Sequence, residues 1–185
     1  MKHAFLSGAT IYLRPLSEED AAGPYVNWLN DAAVCRYNSH HVFPYNRKKA
    51  LDFIENALLG KDAIVLAVCR NEDGMHIGNA SLQKIDLVSR SADFAILLGD
   101  TNSWGRGIGK EAGTLLLRHG FLELNLHRIS CGTSAENTGM QKLALSLGMK
   151  QEGTRRDALY KHGRYIDILE YGILAEEFIL PSESL

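Results

Sequence analysis

The sequence predicts an α/β (mixed α+β) chain, with one central mixed, mostly antiparallel sheet of about six or seven strands and helices on both faces. Between Ala63 and Leu98, short apolar runs alternate with turn signals, the pattern of an antiparallel meander. From Phe94 to Gly132 the order is strand, glycine-rich turn, helix, strand. A right-handed crossover makes the outer strands of such a unit a local parallel pair. After Gly148 the chain returns to strands, across a turn at Lys161-His162-Gly163-Arg164.

Thr10-Ile11-Tyr12-Leu13-Arg14-Pro15 alternates as a first strand and stops at Pro15. Ser17-Glu18-Glu19-Asp20 supplies a cap and an acidic first turn for a helix carrying Ala21, Tyr25, Trp28 and Leu29, with Pro24 as a kink. Asn30 to Asn46 is irregular, and a second helix follows, bearing Ala50, Phe53, Ile54, Ala57 and Leu58 and ending at Gly60. Ala63 to Cys69 is too short an apolar run for a helix, and Asp73-Gly74 is a hairpin signal leading into Ile77 to Ile85. Asp93 to Leu98 is the next strand. Ala112, Leu115, Leu116, His119 and Leu122 recur at helical spacing, then Arg128 to Gly132 is a strand. Met140, Leu143, Ala144 and Leu147 form one helical stripe that Gly148 stops, and Ile166 to Leu174 is the last strand. The tail after Ala175 is expected to be a surface segment.

The 185 residues suit a single domain, 1–185, with no internal repeat or linker. Twenty basic against 22 acidic residues give a net charge of −2, which supplies no electrostatic case for nucleic acid. No apolar run reaches the ~20 residues that span a bilayer, and Met1-Lys2-His3-Ala4-Phe5 has no signal-peptide pattern. The cysteines, Cys35, Cys69 and Cys131, are scattered and odd in number, which argues for a reducing, cytoplasmic setting and against a disulfide framework.

Asn102-Ser103-Trp104-Gly105-Arg106-Gly107-Ile108-Gly109-Lys110-Glu111-Ala112 is the stretch with chemistry in it. Its glycines allow positive φ and close approach to the backbone, and the helix that follows offers unpaired N–H groups to a phosphate. A P-loop would need Gly at Trp104 and Ser or Thr at Glu111, and fails at both. The dinucleotide fingerprint is formally met by Gly107, Gly109 and Ala112, but the acid due roughly 20 residues later is missing from Leu126-His127-Arg128-Ile129.

The same stretch resembles the pyrophosphate loop of the GCN5-related N-acetyltransferases (GNAT), particularly their RimJ/RimL-type branch. The resemblance runs in order from Leu13-Arg14-Pro15-Leu16 through Ala92-Asp93-Phe94-Ala95-Ile96, the loop, Ala135-Glu136-Asn137-Thr138 and Leu147-Gly148-Met149 to Arg156-Asp157, Gly163, Asp167 and Tyr171. It implies an acetyl-CoA-dependent N-acetyltransferase with no metal, whose parallel strands splay at the cofactor. Trp104, Arg106, Gly107, Ile108, Gly109 and Lys110 are then expected at the pyrophosphate, Leu97 and Leu98 along the pantetheine arm, and Asn137 and Lys142 as further cofactor contacts. The acceptor is expected to be an amine, on a small molecule such as an amino sugar nucleotide or on a peptide, and a homodimer is one assembly the resemblance allows.

A lysine-like amine (pKa ~10.4) is neutral in only about one molecule in 2,500 at pH 7, so a base or a desolvating pocket is required. Asp93 is the first candidate, sharing a strand face with Ala95 and Leu97. His40 and His41 are the second. Trp28, Asn30, Tyr37, Asn38 and Tyr45, dense in aromatic and hydrogen-bonding groups, are candidates for holding the acceptor. The tyrosine that many of these enzymes use to protonate the leaving thiolate falls at Ala144, and the branch's serine at Met140. Releasing a thiolate of pKa ~8.5 at pH 7 costs only about 2 kcal/mol, which backbone N–H groups or water can supply. A module that binds acetyl-CoA without turnover is the alternative that the missing acids suggest, and a nucleotide-dependent oxidoreductase is a third.

Overall fold

The computed structural model describes residues 4–179. Eight strands form one sheet: β1 (Leu6–Ser7), β2 (Ile11–Pro15), β3 (Ile64–Arg70), β4 (His76–Asp86), β5 (Ser91–Leu98), β6 (Arg128–Ser134), β7 (Lys150–Lys161) and β8 (Arg164–Leu174), in the order β1-β2-β3-β4-β5-β6-β8-β7. Every neighbouring pair is antiparallel except β5 and β6. The helices are α1 (Tyr25–Trp28), α2 (Arg47–Leu59), α3 (Ile108–Leu122) and α4 (Thr138–Ser146).

Strand alternation divides the apolar residues between two cores. Ile11, Leu13, Val68, Ile77, Leu82, Phe94 and Ile129 point to the face covered by α3 and α4, where they meet Leu116, Leu117 and Ala144. Tyr12, Ala67 and Cys69 point to the other face, against Trp28, Leu29 and Ile54 of the α1–α2 segment. Gly113 lets α3 and α4 approach closely, since a Cβ there would lie 2.6 Å from the Leu147 side chain.

Two elements depart from the sequence reading. The two-residue β1, which pairs Leu6 with Leu13, is too short to leave an alternation signal. The helix expected from Ser17 to Leu29 is broken: Glu18–Ala22 is a 3-10 turn, Gly23 and Pro24 interrupt, and α1 is a single turn. Proline has no N–H to donate and its ring clashes with the carbonyl four residues back, so it starts the second piece and cannot continue the first. At the C-terminal end Ala175–Glu177 is a short 3-10 turn, while 180–185, like Met1 to His3 of the N-terminal reading, lie outside the described residues. No helix among the described residues is long and apolar enough to cross a membrane.

The feature that positions the site is the parallel pair. It is laddered only at Ser91 with Arg128, Ala92 with Ile129 and Asp93 with Ser130. Beyond that rung β5 continues on β4 to Leu98 and β6 continues on β8 to Ser134, so the two strands part and leave a cleft between them.

Candidate active site

The cleft opens at the end of β5, where the glycine-rich turn begins. Asp100 fixes the turn by accepting from Asn102 N and from Ser103 Oγ at 2.6 Å, and the Trp104 indole N–H donates to Leu98 O at 2.8 Å. Gly105 and Gly107 have φ of 73° and 81°, which a side chain adopts only at a cost. A Cβ at either would meet nothing within 4 Å, so what these glycines provide is conformation and open backbone. Gly107 caps α3 and its carbonyl accepts from Glu111 N. The Ile108, Gly109 and Lys110 amides therefore stand in the first turn with no helical carbonyl behind them, at the positive end of a fifteen-residue helix. Exposed Arg106 and Lys110 flank them. This is an anion cradle, and it continues into the unladdered edge of β5 at Leu97 and Leu98, which can pair with an extended, amide-bearing arm.

Asn137, at the start of α4, spends its Oδ1 on capping the helix, accepting from Met140 N at 3.1 Å. Lys142 is exposed on α4.

On the opposite face, α1 walls the end of β5. Trp28 is buried and covers Gly99 so closely that a Cβ there would fall 1.8 Å from the indole. The Trp28 ring also meets His76 edge-on at 5.0 Å. His76 Nε2 lies 2.8 Å from Asn79 Oδ1 and Nδ1 lies 3.1 Å from Asp20 Oδ1, while Asp20 accepts from Arg14 at 2.6 and 2.8 Å. Burial opposes the charge on Asp20, but Arg14, His76 and the Ser17 N–H outweigh it and hold its pKa well below the usual carboxylate range. Gly99→Ala is expected to expel Trp28 from this wall and cost about 2 kcal/mol, visible as a lowered melting temperature.

The 30–46 segment places its residues in two groups. Asn30 is a staple: its amide donates to Val26 O and Tyr45 O and accepts from Tyr45 N, which leaves no donor for an acceptor molecule. Tyr45 packs edge-on against Tyr25, and burial raises its pKa. The Tyr37 ring carries the Arg36 guanidinium at 5.3 Å, and Asn38 Oδ1 accepts from His40 N. Leu29, Ser39, His40, His41, Tyr45 and Lys49 line a pocket. The His40 carbonyl accepts from Lys161 Nζ at 2.6 Å, tying the loop to the end of β7. Crowding by neighbours and the Lys161 charge both disfavour the protonated His40 ring, lowering its pKa although part of the residue stays open to solvent. His41 is exposed, with φ 63°.

Asp93 stands on the last rung before the cleft. It pairs with Lys84 at 2.8 Å and accepts from Ser130 Oγ at 2.7 Å. Partial burial works against its charge, but Lys84 and Ser130 prevail, and its pKa lies below the ordinary value. Lys84 and Ser130 thus hold the carboxylate at the closed end of the cleft.

One carboxylate missed by the sequence reading is Glu170 of β8. It pairs across the strands with Gly132 of β6, and a Cβ on Gly132 would sit 3.1 Å from Glu170 Oε2. Only the β6–β8 register brings it there, and no local pattern carries that register. The cysteines take no part: all are buried, and burial pushes the Cys131 thiol up to about 12. Among the described residues no group of His, Cys, Asp and Glu side chains could hold a metal ion.

Residues 10–150 match the family model described as the acetyltransferase (GNAT) domain. An uncharacterized N-acetyltransferase, p20, of Bacillus licheniformis is 31% identical over 170 residues, covering 90% of this chain and 93% of that protein. The spermidine N(1)-acetyltransferase of Escherichia coli K12 is 27% identical over 94% of this chain and 90% of its own. Among solved structures, Vibrio cholerae spermidine N-acetyltransferase in complex with CoA and spermine superposes with a TM-score of 0.83 at 23% identity, covering 92% of this chain and 98% of that one. Mycobacterium smegmatis RimJ in complex with CoA-disulfide does so with 0.79 at 22% identity, over 90% of this chain and 83% of that one.

Proposed function

Because the chain belongs to the GNAT acetyltransferase domain family, we propose that it transfers an acetyl group from acetyl-CoA to a primary amine on a small molecule, by direct attack within a ternary complex. The observation that carries this is the continuity of the Gly105–Lys110 cradle with the parted β5 and β6 strands. Backbone amides and the α3 dipole receive the pyrophosphate, flanked by Arg106 and Lys110. The pantetheine amides pair with β5 at Leu97 and Leu98, which delivers the thioester into the cleft. The chain contributes positioning and exclusion of water there, and Asp93 with Lys84 closes the narrow end.

The acceptor enters from the Trp28–Tyr45 side. Its pocket is lined by His40, His41, Ser39 and Lys49, and no carboxylate is among the lining residues. Among the described residues the Lys49 ammonium donates only to the Pro44 carbonyl, which leaves it donors for an anion. That lining favours an amine that also carries phosphate, such as an amino sugar nucleotide. The second reading is a polyamine, favoured by the spermidine acetyltransferases among the relatives. Assaying CoA release on a panel of amino sugar nucleotides, polyamines, amino acids and peptides separates them: phosphate-bearing amino sugars are expected to be best. Preference for spermidine would select the polyamine, and activity confined to peptide N-termini would select a protein acetyltransferase. Acetyl-CoA that raises the melting temperature with no release on any amine would leave a binding module.

A further inference from the structure

The proposed transfer needs a proton acceptor beside the attacking nitrogen before the thiolate departs, and Asp93 is held by Lys84 and Ser130 on the rung below the opening. Just past the last rung of the parallel pair, the side chains facing the α1–α2 side are the methyl of Ala95 on β5 and the hydrogen of Gly132 on β6, two residues beyond Asp93 and Ser130. The space over the opening of the cleft is therefore empty of side chain from the strands that form it. What lies over it is the Glu170 carboxylate, with both oxygens 3.1–3.2 Å from the position of a Gly132 Cβ. Arg155 binds its Oε1, and its Oε2 accepts no hydrogen bond from the described residues. About a third of the side chain is open to solvent, so an incoming amine can reach it. Lys84, Asp93 and Arg155 are charges around it, Lys84 being paired with Asp93, and the Arg128–Glu152 pair lies over Gly172, the next residue on that face of β8.

We infer that Glu170 is the catalytic group that receives the acceptor ammonium and takes its proton. This rests on the transferase reading above and is independent of which amine is used. The balance is complete without any further reagent. Glu170 Oε2 removes one N–H proton from the ammonium and later returns it to solvent. The freed nitrogen lone pair forms the C–N bond, the C–S bond breaks, and a second N–H proton leaves with CoA as the thiol. Gly132 is the companion requirement, since a Cβ there would press on both carboxylate oxygens at 3.1–3.2 Å and a branched side chain would crowd them further.

The test is Glu170→Gln against the wild type on the best acceptor of the panel, with acetyl-CoA binding followed by thermal shift to show that the fold and cradle persist. A kcat loss of roughly 100-fold or more is expected, with the acetyl-CoA KM within about threefold. The deficit should narrow as pH rises toward the amine's own pKa, where solvent performs the deprotonation. Gly132→Val, a second route to the same defect, should lower kcat in the same direction. Glu170→Gln with wild-type kcat and pH profile, or a comparable loss in His40→Gln with Glu170→Gln unaffected, overturns the assignment. A wild type that acetylates no amine removes the transferase reading itself, and Glu170's role with it.

Discussion

Gly107→Val is expected to weaken acetyl-CoA binding on the order of 100-fold while leaving the fold intact. Gly107 sits at φ 81° with open space around it, so the substitution meets no packing partner and acts on the loop alone. Holding a β-branched residue in that region costs about 1–2 kcal/mol. If the loop relaxes instead, the Ile108 and Gly109 amides turn away from the pyrophosphate, and each hydrogen bond to a charged group is worth about 1.5–3 kcal/mol. Losing both bonds at the lower figure amounts to about 3 kcal/mol, or two decades of affinity. Calorimetric titration of wild type and variant checks the ratio, and the far-ultraviolet spectrum should be unchanged.

The second large effect concerns the buried ion pair behind α1. Asp20→Asn is expected to destabilise the protein by about 3 kcal/mol, because it leaves the Arg14 guanidinium and the His76 ring against a neutral amide in a buried setting. For a chain of this size that is a fall in melting temperature of roughly 6–12 °C. The sign with pH follows from the depressed pKa of Asp20. Its contribution is fully present above the unfolded carboxylate value of about 4 and is lost as pH falls through the folded value. Urea midpoints of the two proteins should therefore be furthest apart near neutral pH and converge on acidification below about pH 4. A constant gap across that range would remove the ion pair as its source.

The fold was legible where the pattern is local. The apolar run at Ala63 to Cys69, the Asp73-Gly74 turn and the Met140–Leu147 stripe each became the element their periodicity announced, as β3, the β3–β4 hairpin and α4. The glycine turn was legible too, because strand, glycine and helix are consecutive in the chain. The acceptor side depends on contacts between distant segments. Asn30 looked like a ligand-holding amide and is consumed by Tyr45, fifteen residues on. Trp28 looked like a pocket residue and is buried as the cover of Gly99. Asp93 lies on the strand and face that alternation assigned, but its Lys84 partner comes from β4 across a register shift that no pattern announces. Glu170 was invisible for the same reason, since only the β6–β8 register sets it over Gly132.

The measurement that bears most directly on the cradle is a titration of acetyl-CoA against acetyl-pantetheine, which carries the same thioester and arm without the pyrophosphate. The chain has two tryptophans: Trp28 is buried, and Trp104 is half-exposed on the cradle itself. Indole emission therefore reports on the loop. Acetyl-CoA is expected to change that emission and to bind at least 100-fold more tightly than acetyl-pantetheine, with the advantage abolished in Gly107→Val. Equal affinity of the wild type for both thioesters, or an undiminished preference in the variant, would contradict the cradle.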